Sequence, residues 1–392
     1  MSTPGSGQAE LPPGRSVHSQ RVIFIDLGRA LAVTFMLYGH TVSALLAADF
    51  QTGTWFDVWQ FQRGLTSSLF LLLGGFAFSL AARRHWVPQA DSRSAVIKRL
   101  RRFALFVLLG YSLHLPVYRL LDLPLATPEN WRMFQAVDVL QLVGVTLIGL
   151  QLLALVSRSR RVFMVLSFAL ALAVVFVTGP ALRIDWTTRV SPWVAPYLST
   201  ATGSLFPLLP WSAFVLAGAG LGQIYSLWGA AHLRAFARWV LLVPGTVLLA
   251  LAFVSQVLPS PQFLGNSFAW PPTEFAIRTG PCLIIMALIA MASRRIQHLP
   301  RVFGAIAQES LLVYFVHLCI VYGSAWNNGL HRFYAASLGP MATLAAVIFV
   351  VVSMTGLALV WNHTKRTRPR TARRIAWITG VVLVIWLIVR PM

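Results

Sequence analysis

The chain has 392 residues, of which 57% are hydrophobic and only 11% charged, with a formal net charge of +21. A soluble domain carries about 25% charged residues, so this composition excludes a water-soluble fold and points to a polytopic membrane protein. The basic surplus gathers in short gaps between apolar runs, where membrane topology places it, so a nucleic-acid partner is excluded as well.

In chain order, residues 1–20 (MSTPGSGQAELPPGRSVHSQ) are polar and rich in Pro, Gly and Ser. Without an apolar core and cleavage site they predict a disordered tail rather than a signal peptide. Residues 21–392 predict a single transmembrane domain. A helix rising ~1.5 Å per residue needs about 20 apolar residues to cross ~30 Å of hydrocarbon. Eleven runs qualify: 22–48, 64–82, 103–121, 134–156, 162–180, 204–227, 239–258, 273–293, 302–326, 338–361 and 375–391. The expected fold class is all-α, a polytopic membrane helical bundle of about 10–11 transmembrane helices. Pro180–Pro207 and Pro259–Pro272, with Trp186, Trp193 and Trp270, are expected as interfacial loops. No internal repeat is visible, which argues against a transporter built of inverted halves.

The gaps alternate in charge. One set holds Arg83, Arg84, Lys98 to Arg102, Arg158 to Arg161, Arg234, Arg238, Arg294 to Arg301 and Lys365 to Arg374; the other holds Arg63, Arg132, Arg183, Arg189 and Arg332, with Arg390 at the C-terminus. The positive-inside bias makes the first set cytoplasmic, with the N-terminus inside and the C-terminus outside. Lacking a targeting segment and any long loop, the chain is expected in a plasma membrane.

Ionisable residues within spans are costly, which singles out a few positions. The first run contains Asp26, Arg29 and His40. Asp26 and Arg29, three apart, pair on one helix face. Arg29 and His40, eleven apart, share a face at two depths about 16 Å apart and predict a lined polar path. In the ninth run Ser310, Tyr314 and His317 fall at i, i+4 and i+7, one polar stripe on an apolar helix. Counted from the basic end, His317 reaches a depth similar to His40, so the two imidazoles are expected to converge on one cavity. Gly74 and Gly75 either allow close helix packing or leave room for a ligand's pantetheine arm, whereas Gly218, Gly220 and Gly222 read as packing. Glu274 and Arg278 at i, i+4 are expected to pair, and His114 and Asp138 to lie at a watered rim. Cys282 and Cys319 sit in apolar runs with neither a disulfide framework nor a zinc spacing, and no metal site is expected.

These motifs resemble the integral-membrane acyltransferases, comprising the acyltransferase-3 family and the heparan-alpha-glucosaminide N-acetyltransferase-like proteins. The resemblance is carried by Asp26, the Arg29-x10-His40 spacing, the aromatic segment Phe70 to Phe76, the Ser310-x3-Tyr314-x2-His317 stripe, and Pro207-Leu-Leu-Pro210-Trp211 followed by Gly218 to Gly222. It departs in two places: glycine precedes Arg29 instead of following it, and Gly74 stands where serine is usual. The resemblance implies transfer of an acyl group, expected to be acetyl, from a cytoplasmic acyl-CoA such as acetyl-CoA to a hydroxyl or amine of a sugar or envelope glycan on the outer side. Acyl-CoA, a glycan acceptor and the lipid bilayer are thus the expected partners.

Imidazole is the natural general base for a hydroxyl near neutral pH, which casts His40 as base or as transient acyl carrier. Tyr314 and His317 then orient it or stabilise the oxyanion. Arg29, with Asp26, stands at the inner side of the path to hold a phosphate or the thioester, and Arg99 and Arg102 of the Lys98–Arg102 segment receive donor phosphates or simply anchor that loop. The rival reading, a secondary transporter or lipid-linked sugar flippase, explains the same intramembrane charges as a proton relay but lacks repeats and mid-membrane carboxylates.

Overall fold

A computed structural model describes residues 22–82, 86, 93–257 and 270–390. The N-terminal tail, Arg83, Arg84 and the segment 258–269 lie outside the described residues.

The helices in chain order are α1 (Ile23–Leu45), α2 (Thr54–Ala82), α3 (Arg93–Leu113), α4 (Pro128–Gln135), α5 (Val139–Val156), α6 (Arg160–Leu182), α7 (Ala195–Leu198), α8 (Leu208–Ile224), α9 (Leu233–Phe236), α10 (Val243–Val257), α11 (Trp270–Ser293), α12 (Arg301–Gln308), α13 (Ser310–Val321), α14 (Leu330–Tyr334), α15 (Pro340–Thr367) and α16 (Pro369–Val389). Local chemistry sets several of these boundaries. Asp138 and Gln141 form a reciprocal capping box at the start of α5, and the Ser159 side chain accepts from Val162 N at the start of α6. Pro340 and Pro369 occupy first turns, where their missing N–H costs nothing.

Among the described residues nine helices are long and apolar enough to cross a membrane, or ten if α12 and α13, bent by 77° at their junction, count as one span. The chain is thus an all-α, multi-pass membrane protein. The expected third span differs from its prediction. α3 begins at Arg93 and takes the basic segment into its own first turns, because Arg and Lys are good helix formers whose stems reach along apolar surface. It ends at Leu113, three residues before Pro116, and the chain turns through 114–119 instead of continuing as helix to 121. Arg99 Nε donates to Gln151 Oε1 near the end of α5, while His114 meets Asp138 at its start. α3 and α5 therefore run antiparallel over the full depth, and α3 reaches from one end of the bundle to the other. Its charged N-terminal half keeps it from qualifying on apolarity alone.

The ninth run is also not one straight span. It breaks at Glu309, whose φ of −98° and ψ of 16° interrupt the helix. After α13 come two short strands instead of more helix: β1 (Gly323–Ser324) pairs antiparallel with β2 (Asn327–Asn328), Gly323 opposite Asn328.

The core forms where α2 crosses α8. A Cβ on Gly75 would overlap the Val215 carbonyl oxygen, and one on Gly218 would overlap that of Leu72, so the two backbones touch there through glycine. Ser79 Oγ, buried at the same contact, donates to Ala219 O at 2.5 Å. Gly74 differs: a Cβ there meets nothing within 4 Å. Of the paired glycines, one packs and the other faces space.

Candidate active site

α1 and α13 lie side by side and run in the same direction, which fixes what their polar residues meet. Near the basic end, Arg29 donates through Nη2 to Ser310 Oγ at 2.7 Å, with Asp26 and Arg102 as the charges acting on it. Two to three turns further on, the His40 and His317 rings stand 5.4 Å apart between centroids, edge to face. Tyr314 packs edge-on against His317 at 5.5 Å and lies nearly parallel to Phe70 at 6.4 Å. His317 is 0% exposed. Its Nδ1 sits 3.0 Å from Val313 O, an oxygen that only accepts, so Nδ1 carries the proton and Nε2 is an acceptor. That Nε2 is buried with no hydrogen-bond partner within the protein. A buried orphan acceptor beside a second imidazole is the kind of exception a reaction centre accounts for.

His40 opens onto a cavity of about 900 Å³ at the end opposite the basic segments. Met36, Gly39 and His40 of α1, Gly64, Ser67 and Phe70 of α2, His114, Asp138, Trp211, Arg278, Tyr314 and Tyr322 line it, along with the hairpin residues 323–325 and 327–329 and Arg332. This volume suits a ligand of one or two sugar rings. Its cationic wall comes from Arg63, Arg278 and Arg332, against the carboxylate of Asp138. Arg278 is built in firmly. Its Nε pairs with Glu274 Oε2 at 3.1 Å, its Nη1 donates to Gly64 O at 2.9 Å, and its guanidinium lies 5.5 Å from the Trp211 ring. Asp138 caps α5 and stands 3.6 Å from His114 Nε2. Burial raises the pKa of this carboxyl, but the His114 imidazole and the Val139 N–H outweigh it and leave it below the ordinary carboxylate value.

The predicted residues therefore divide. Structure brings His40, His317 and Tyr314 together, and Arg29 to Ser310 and Asp26. The cavity wall takes in His40 and Tyr314 but not Arg29, so the predicted path is not lined from the arginine to the imidazole: the Phe70–Tyr314 pair stands between the two levels. Arg99 is held by Gln151 on α5, whereas Arg102 is exposed at the basic end, 6.0 Å from the Phe106 ring. His114 and Asp138 both line the cavity, paired with each other at 3.6 Å on its wall.

Sequence reasoning missed Tyr322, Arg63, Arg332 and the cavity role of Arg278. Tyr322 lies five residues past His317, after the helix, where the stripe of α13 no longer extends. The Glu274–Arg278 spacing gave a signal for pairing but none for the contact with Gly64.

A family model described as heparan-alpha-glucosaminide N-acetyltransferase, catalytic, matches residues 21–257, more than half of the chain. No curated protein matches the chain. The matched region supplies Arg29, His40 and Asp138, whereas Arg278, Ser310, Tyr314, His317 and Tyr322 come from beyond it.

Proposed function

Because the chain belongs to the heparan-alpha-glucosaminide N-acetyltransferase catalytic family, we propose that it moves an acetyl group from acetyl-CoA to a hydroxyl or amine of a glycan held in the 900 Å³ cavity. The observation that carries this reading is the pair of imidazoles 5.4 Å apart, His40 on the cavity wall and His317 buried behind it with an unpartnered Nε2. His40 takes the proton from the acceptor as its oxygen or nitrogen attacks the thioester carbonyl. The new C–O or C–N bond forms, the C–S bond breaks, and the proton passes to the departing thiolate. His317, whose Nδ1–H is committed to Val313, offers only an acceptor nitrogen and so receives a proton rather than steadying an oxyanion. That second duty falls to the Tyr314 hydroxyl.

The donor is placed with its phosphates at the basic end, where Arg29 and the exposed Arg102 supply fixed positive charge. Gly74, on the α2 face that carries Phe70 one turn away, leaves room beside the Phe70–Tyr314 pair for a slender arm. The positive-inside bias supports a cytoplasmic basic end and an external cavity.

Purified protein in liposomes, given radiolabelled acetyl-CoA and a panel of amino and neutral glycans, is expected to label at least one glycan. Uptake of a sugar with no thioester requirement would support a transporter instead. In the same assay Arg29→Gln is expected to raise the donor KM by roughly 10–100-fold, the worth of a charged hydrogen bond, with kcat little changed. An unchanged donor KM would remove Arg29 from the donor site.

A further inference from the structure

We propose that Tyr322 is a positioning residue that fixes the ring of His40 in the tautomer with Nε2 free. The inference rests on His40 being the base. The Tyr322 hydroxyl lies 3.2 Å from His40 Nδ1, and the two rings meet edge-on with centroids 5.6 Å apart. The same hydroxyl is also directed at the His40 backbone carbonyl oxygen, at a longer 3.5 Å. A phenol has a single proton to give. The carbonyl oxygen can only accept; with the hydroxyl's proton directed to it, the hydroxyl accepts from the imidazole. Neutral His40 thus carries its hydrogen on Nδ1 and keeps a lone pair on Nε2, the nitrogen a general base needs.

The fold holds Tyr322 at this spot by several independent contacts. The chain turns immediately after it at Gly323, whose φ of +90° lies in the left-handed region, and a Cβ there would come 2.7 Å from Gly329 N. Asn327 Nδ2 ties the hairpin back to Cys319 O at 2.6 Å. On the other side, His331 Nδ1 donates to Ala44 O at 3.0 Å, with its ring 6.0 Å from Tyr322. The end of α1 that carries His40 is itself stitched to the same segment, Leu338 N to Leu45 O at 2.9 Å and Ala47 N to Leu338 O at 2.9 Å. Base and hydroxyl are therefore referenced to one rigid unit, as a first-contact catalytic group requires of its supporting partner.

The test compares Tyr322→Phe, which keeps the ring and removes only the hydroxyl, with His40→Gln. Tyr322→Phe is expected to lower kcat by about 10–100-fold, the usual loss when an outer partner of a working histidine is removed, while both KM values stay within about twofold. Full kcat in Tyr322→Phe alongside an inactive His40→Gln overturns the positioning role and leaves the base in place. Full kcat in both overturns the base assignment, and this inference with it. A readout independent of turnover is the imidazole 15N spectrum of the wild-type protein, in which the His40 signals are those lost in His40→Gln. The Nδ1–H form is expected; an Nε2–H form overturns the proposal even if Tyr322→Phe does not fold.

Discussion

His40→Gln is expected to lower kcat by about 10²–10⁴-fold, the usual contribution of a placed general base, with the protein still folded and still binding donor. Glutamine approximates the size of imidazole and stays polar, so the helix end and the hairpin lose little. What it cannot do is take a proton near neutral pH. Steady-state kinetics should therefore show a drop in kcat with little change in either KM, the pattern of an interaction made in the transition state. His317→Gln separates two roles for the second imidazole. If it relays the proton, as its free Nε2 implies, the loss is again in kcat; if it only packs, kcat is retained. A His40→Gln enzyme with wild-type kcat would end the reading of this cavity as a base-catalysed transfer site.

Gly75→Leu is expected to produce the largest loss of stability of any substitution considered. The Cβ alone overlaps the Val215 carbonyl oxygen, and the Ala219 nitrogen is 2.8 Å from the same point. Both obstacles are backbone, so α2 and α8 must move apart instead of a side chain turning away. That separation also breaks the 2.5 Å bond from Ser79 to Ala219 O. Overpacking costs of about 3 kcal/mol or more follow where the neighbour cannot yield, and a large fall in Tm in detergent, or failure to recover folded protein, is the expected result. Gly74→Ala is the matched control. With nothing within 4 Å of its Cβ it should leave Tm unchanged or raise it slightly, since alanine favours helix by up to ~1 kcal/mol over glycine. Equal losses at the two positions would show that the glycines do not divide between packing and open space.

The residues that sequence placed well are those whose geometry is helical and local. Arg29 and His40 share a face because eleven residues nearly complete three turns, and Ser310, Tyr314 and His317 share one for the same reason. Depth, counted from the basic ends of α1 and α13, then put two histidines at one level. The paired glycines were ambiguous because composition does not say which face of α2 meets a neighbour. The break at Glu309 had no local signal, since neither Pro nor Gly marks it. It is held by tertiary contacts: Asn362 Nδ2 donates to its Oε1 at 2.9 Å, and Lys365 Nζ lies 2.7 Å from its Oε2, both from α15 more than fifty residues away. Asp138, Arg278 and Tyr322 were undervalued for a related reason. Asp138 and Tyr322 sit at helix termini, where one face of a helix no longer predicts the neighbour, and Arg278 lies two turns inside α11, where the i, i+4 spacing flags Glu274 but not the contact with Gly64. The C-terminal region 258–392 lies outside the family match yet supplies half of the imidazole pair, so the match alone covers only one side of the site.

The most direct measurement is a structure of the protein bound to a bisubstrate analogue, in which the CoA sulfur is joined through an acetyl linker to an amino sugar. The account predicts the linked sugar nitrogen within hydrogen-bond reach, about 3 Å, of His40 Nε2, the sugar in the cavity walled by Arg278 and Trp211, and the phosphates at Arg29 near the basic end. An analogue bound with its linker away from both imidazoles, or with sugar and phosphates at the same end of the bundle, would contradict it.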